Sequence, residues 1–127
     1  MIYGVGTDIV EVARIEKALT RFGERFAKRI LCPPELKRFE SHKQKANYLA
    51  KRFAAKEAFT KALGTGIHAP ANWHGVWVTN RSSGKPDLEF TEALQKVLSS
   101  KGISGCHLSL ADERGMAVAT VILECER

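Results

Sequence analysis

Apolar and polar positions alternate with two different periods along the chain, and the period changes midway. IYGVGTDIV (2–10) reads as a short strand that ends in a loop at Thr7-Asp8. Beyond it Val12, Ile15, Leu19, Phe22 and Phe26 recur at spacings of three and four, one face of a helix, with Gly23 predicting a bend or break. Cys32-Pro33-Pro34-Glu35 suits a helix start, because proline fits the first turn, and this helix should run to about His42. A longer helix is expected from about Lys45 to Leu63, closed by Gly64-Thr65-Gly66, whose glycines permit the left-handed conformation.

The second half is strand-like. Val76-Trp77-Val78 and Leu88-Glu89-Phe90 flank the turn-rich Asn80–Pro86 and predict a hairpin. A helix over 91–101 should start at Thr91. Strands near 104–111 and 115–124 then flank a turn at Asp112-Glu113-Arg114-Gly115. In the first of them Cys106, Leu108 and Leu110 alternate with His107, Ser109 and Ala111, the period of a half-buried strand. The expected class is α+β, a largely antiparallel sheet packed with helices, in a single domain over 1–127.

The long helix carries the sharpest anomaly. On a wheel of about 100° per residue centred on Ala50, Leu49 and Phe53 lie to one side and Ala54 and Ala58 to the other. Glu57 and Lys61 fall in the middle of that apolar sector, while Arg52 and Lys56 fall on the far side, expected to be solvated. Glu57 and Lys61 could form an ordinary i,i+4 ion pair. On an apolar face, however, two charges cost several kcal/mol to desolvate without further partners. A metal, a phosphate or another chain could supply them.

Asp8, at the end of the first strand, is the second carboxylate. It could cap the following helix, with Glu11 three positions on, or it could converge with Glu57. Two carboxylates with open coordination positions suit Mg²⁺, which keeps waters and takes substrate phosphate oxygens.

Arg14, Lys17, Arg21, Arg25 and Lys28 form one basic stripe opposite the apolar one. A solvated face and a docking face for an acidic surface both fit it. Gly84-Lys85-Pro86 fits a hairpin turn, and His107 fits either a core histidine or a phosphate ligand. Gly64-Thr65-Gly66 lacks the context of a Walker loop. Trp73 and Trp77 read as packing residues.

Composition narrows the class without choosing the chemistry. A net charge of +6 points to an acidic partner: nucleic acid, anionic membrane, phosphorylated metabolite or acidic protein. No run of eighteen apolar residues occurs, which argues against a membrane span. The first residues, MIYGVGTDIVEV, lack a basic segment and a cleavage-site pattern, so a cytoplasmic protein is expected. Its 3 cysteines show neither CxxC nor zinc spacing and are expected to be reduced thiols.

Together these residues resemble the holo-[acyl-carrier-protein] synthase family, small 4′-phosphopantetheinyl transferases of bacterial fatty acid synthesis. GTDIVEVARIE (6–16), FAAKEAFTKALGTG (53–66), GKP (84–86) and HLSLADERGMAVATVI (107–122) are similar to that family's motifs and follow in its order across essentially the whole chain. The resemblance implies the 4′-phosphopantetheinyl transferase fold. It implies transfer of the phosphopantetheine arm of coenzyme A to a serine of apo acyl carrier protein, releasing adenosine 3′,5′-bisphosphate. Asp8 and Glu57 would then hold Mg²⁺ against the pyrophosphate, with Lys61 by the phosphates as the third catalytic residue. Lys61, Gly64, Gly84, Lys85, Pro86 and His107 would belong to the coenzyme A pocket. The resemblance further implies a homotrimer with sites between subunits, and a first helix whose Arg14, Arg21 and Arg25 receive the acidic carrier protein. Many members read His-x-Ser-x-Ser-His late in the chain. Here the stretch is His107-Leu108-Ser109-Leu110-Ala111-Asp112, and Asp112 is expected to begin the turn.

Two other classes share parts of this pattern. A nucleic-acid-binding module would explain the positive charge but shows no recognised motif and leaves Glu57 unexplained. A metal-dependent phosphohydrolase would use the same carboxylates without a protein partner. The stripe separates these readings: reversing Arg21 and Arg25 to Glu should raise KM for apo acyl carrier protein steeply, most at low salt, with little change in kcat. An unchanged KM would make the stripe a solvated face.

Overall fold

The computed structural model describes residues 1–126. Strand β1 (Ile2–Glu11) is longer than its pattern suggested, so Asp8 lies inside a ladder, opposite Ala119, and not in a loop. Glu11 occupies the cap position of helix α1 (Val12–Phe22), so Asp8 caps nothing. Gly23, at φ 65°, breaks the helix, and α2 (Glu24–Ile30) restarts directly after it. The basic stripe is therefore divided between two helices, and Phe22, expected on the apolar face, is 53% exposed.

Helix α3 (Pro33–Ser41) starts at the Cys-Pro-Pro-Glu segment, where the Glu35 carboxylate accepts a hydrogen bond from the Cys32 N–H at 2.9 Å. Helix α4 (Lys45–Leu63) ends at Gly64 in the left-handed conformation, φ 90°. Strands β2 (Val76–Asn80) and β3 (Pro86–Phe90) form the expected hairpin. Helix α5 (Glu92–Ser100) is capped by Thr91, whose hydroxyl accepts from the Leu94 N–H. Strands β4 (Ile103–Glu113) and β5 (Met116–Cys125) follow, with Arg114-Gly115 turning between them. Asp112 is thus a strand residue. Its carboxylate accepts hydrogen bonds from Asn47 and Lys51 of α4, and these hold it below the usual carboxylate range, Asn47 first.

β5 is the centre of an antiparallel sheet ordered β1-β5-β4. Its inner residues Ala117, Ala119, Val121 and Leu123 are fully buried under α4, as periodicity two requires of a one-sided sheet. The outer face is open and partly apolar, with Tyr3, Val5 and Ile9 of β1 exposed. Cys32, Cys106 and Cys125 are free thiols. Burial pushes the Cys32 thiol up and takes Cys106 to about 12, so both stay neutral. Among the described residues no helix is long and apolar enough to cross a membrane.

Helix α4 lies very close on β1. A Cβ at Gly4 would stand 2.0 Å from the Ala62 carbonyl oxygen, and one at Gly6 would stand 1.9 Å from that of Ala58. Ala58 and Ala62, both buried, form the helix side of this contact. Gly6→Ala should therefore destabilise the protein by roughly 2–3 kcal/mol, because backbone must move to make room. Urea or thermal unfolding measures it, and a stability equal to wild type would show that the contact yields easily.

Candidate active site

The close contact of β1 and α4 brings Asp8 beside the last turns of the long helix. Lys61 Nζ donates to Asp8 Oδ1 at 3.0 Å and to the Thr7 carbonyl at 3.1 Å. Lys61 is therefore paired across to the strand and not with Glu57 on its own helix. Asp8 and Glu57 line one cavity of about 420 Å³, together with Arg14, Ile15, Phe26 and Phe53. Burial, and next the like charge of Asp8, lifts the Glu57 carboxyl above its usual range, while Lys61 opposes the shift. Two carboxylates forced toward one space, one of them lifted by the other, form a donor set that favours a cation. Among the described residues no group of three or more His, Cys, Asp or Glu could hold a metal. A cation here would complete its shell with oxygens from water or phosphate, the habit of Mg²⁺.

The wheel placed the helix charges the wrong way round. Lys61 is half exposed and Glu57 partly so, while Lys56 is 0% exposed and Arg52 6%. The reason is that the sheet, α1, α2, α3 and β2 pack around most of α4, and the stripe they leave open is the one that carries Glu57 and Lys61. Lys56 Nζ donates to Glu35 Oε1 at 2.7 Å, to the Ile30 carbonyl at 2.6 Å and to the Trp73 carbonyl at 2.7 Å. Arg52 lies over the Tyr48 ring at 4.1 Å. Its Nε is the one buried side-chain nitrogen or oxygen among the described residues without a hydrogen-bond partner.

Arg52 opens onto a second cavity, of about 720 Å³, that sequence reasoning missed. Arg38, Lys43, Lys51 and Arg81 add positive charge to its lining, and Gly84 of the GKP segment forms part of the wall. Asn80 organises this wall, accepting from Arg38 at 2.8 Å and from Arg52 at 3.5 Å and donating to the Gly84 carbonyl. The residues come from three separate stretches, so no local motif announces them. A cavity lined by Arg38, Lys43, Lys51, Arg52 and Arg81 suits an anion such as a phosphate.

The remaining expected site residues do not all meet within one chain. Lys85 is exposed and Pro86 opens β3. Gly64 sits at the end of α4 and lines neither cavity. His107 stands on the open sheet face that it shares with Ser109, hydrogen-bonded to Glu124, and lines neither cavity. Arg14, Arg21 and Arg25 are exposed on α1 and α2, and Arg14 also reaches the carboxylate cavity.

A paired-carboxylate site and a cationic cavity on an α+β scaffold define a protein suited to phosphoryl chemistry. The family model for the 4′-phosphopantetheinyl transferase superfamily matches residues 4–120. The holo-[acyl-carrier-protein] synthase of Vibrio parahaemolyticus is 54% identical over 123 residues, 97% of this chain and 98% of that protein. That of Nitrosomonas europaea is 48% identical over 124 residues, 98% of this chain and 99% of that protein. The crystal structure of the Neisseria meningitidis holo-[acyl-carrier-protein] synthase superposes with a TM-score of 0.95 at 47% identity, covering 98% of this chain and 99% of that one. The Bacillus anthracis enzyme, solved in complex with CoA (3′,5′-ADP), gives a TM-score of 0.83 at 37% identity, covering 99% of both chains. This chain belongs to the 4′-phosphopantetheinyl transferase superfamily, and within it to the holo-[acyl-carrier-protein] synthases.

Proposed function

We propose that the protein, as one transferase domain over 1–127, transfers the 4′-phosphopantetheine of coenzyme A to a serine of apo acyl carrier protein in the cytoplasm. The observation that carries the reading is the convergence of Asp8 and Glu57 on one cavity, with Lys61 bonded to Asp8, on a chain that matches holo-[acyl-carrier-protein] synthases over nearly its whole length. In the reaction the serine Oγ bonds to the β-phosphorus of coenzyme A, and the bond from that phosphorus to the bridging oxygen breaks. Adenosine 3′,5′-bisphosphate leaves with the oxygen, and the serine proton passes to Glu57 or to solvent. Asp8 and Glu57 would hold Mg²⁺, which supplies polarisation of the phosphoryl oxygens and offsets charge on the leaving group. Lys61, anchored by Asp8 and the Thr7 carbonyl, would place a positive charge beside the pyrophosphate.

The cationic cavity suits the phosphorylated nucleoside end of coenzyme A. Tyr48 and Arg52 on its side of α4 lie about 140–180° around the helix from Glu57, by residue spacing. One coenzyme A molecule would therefore run between copies of the chain, from the cationic cavity of one to the carboxylates of the next. This supports a homotrimer in which the open sheet face, with Tyr3, Val5, Ile9 and His107, is covered by neighbours, and the basic helices α1 and α2 stay free for the acidic carrier protein.

Incubation with coenzyme A, Mg²⁺ and apo acyl carrier protein should yield a carrier protein heavier by one phosphopantetheine. Glu57→Gln should lower the rate by about a hundredfold or more, with the thermal transition unchanged. Near-normal turnover in that variant would sink the site assignment. Val5→Glu, on the exposed sheet face, should give monomers by light scattering, keep the far-UV spectrum and lose most activity. A fully active monomeric wild type would overturn the shared site.

A further inference from the structure

Lys56 and Glu35 form an ion pair with neither side chain exposed, yet they touch neither cavity directly. We infer that this pair is a positioning device that ties the cationic cavity to the carboxylate site, and so sets the affinity for coenzyme A. The inference rests on reading the cationic cavity as the coenzyme A pocket.

The pair reaches both sites through short, directional links. On the Glu35 side, Oε1 accepts from the Cys32 N–H and Oε2 from the Val78 N–H, both at 2.9 Å. Val78 lies two residues before Asn80, the residue that organises Arg38, Arg52 and Gly84. The Glu35 carbonyl accepts from the Tyr48 hydroxyl at 3.1 Å, and Tyr48 carries Arg52 on its ring. On the Lys56 side, the next residue is Glu57. Lys56 also holds the Trp73 carbonyl, and the Trp73 ring stacks on Phe53 at 5.1 Å, in the wall of the carboxylate cavity. One buried contact thus spans α2, α3, α4, β2 and the segment before it.

Stability does not by itself explain such a pair, since apolar residues of similar volume often stabilise a core as well or better. What apolar packing lacks is direction. Three Nζ donors and two carboxylate oxygens, each matched to a named partner, admit a single arrangement of the five segments. A displacement of about 1 Å at the Val78 or Trp73 end would move a wall of the coenzyme A path, and such errors are costly in transfer reactions.

The test uses Glu35→Gln, which keeps shape but removes the charge. It also uses Glu35→Asp, which keeps the charge and shortens the reach by one methylene. Each is assayed well below its own thermal midpoint. Both should raise KM for coenzyme A by about tenfold, with KM for apo acyl carrier protein unchanged, because the basic stripe lies on other helices. A merely structural role would lower the folded, active fraction, and with it apparent kcat, while leaving both KM values at wild type. That pattern overturns the proposal, as does failure of both variants to fold, which would make the pair a folding requirement alone. Arg52→Gln separates the premise. A raised KM for coenzyme A there supports the pocket. An unchanged one overturns the pocket reading and this proposal with it.

Discussion

Everything at the site depends on how closely α4 lies on β1. Helix carbonyl oxygens of Ala58 and Ala62 occupy the space where side chains at Gly6 and Gly4 would be. With that approach Lys61 reaches Asp8 Oδ1 and the Thr7 carbonyl, and Glu57 shares a cavity with Asp8. A side chain as small as alanine at either glycine would hold helix and strand apart and separate Lys61 and Glu57 from Asp8. Packing sterics, more than attraction between the polar groups, therefore bring these three side chains together.

The same helix shows two ways of handling charge. Near the strand, Glu57 is raised above its usual range by burial and next by Asp8, and the two carboxylates line a cavity that leaves them accessible. In its middle, Lys56 and Glu35 are equally charged but entirely consumed by protein partners. Desolvating a lysine is expensive unless every hydrogen finds an acceptor, and here each does. Arg52 falls between the two: stacked on Tyr48 and bonded weakly to Asn80, it keeps one donor in reserve.

Most elements were legible because each has local chemistry that writes its boundaries: Pro33-Pro34 at the start of α3, Gly64 at the end of α4, Thr91 before α5, and alternation in β4. Asp8, Glu57 and Lys61 stood out as charges among small and apolar residues. Arg52 and Lys56 were misread because a helical wheel assumes one buried side, whereas several elements pack around α4 and cover the face that those two residues occupy as well. The cationic cavity was invisible for a different reason. Arg38, Lys51, Arg52 and Arg81 are neighbours only after α3, α4 and the β2–β3 hairpin have met. His107 and Lys85 belong to faces that a single chain leaves open.

The glycines of β1 also act as a gauge during assembly. Side chains on this strand alternate Gly4, Gly6, Asp8 and Val10 inward with Tyr3, Val5 and Ile9 outward. A slip of one residue would exchange the two faces and drive Val5 to a glycine position against the helix backbone, where even one methyl does not fit. Misregistered pairing with β5 is thus rejected by collision, not by a small difference in hydrophobic burial. The tight seam that builds the site also checks that the strand beneath it has been threaded correctly.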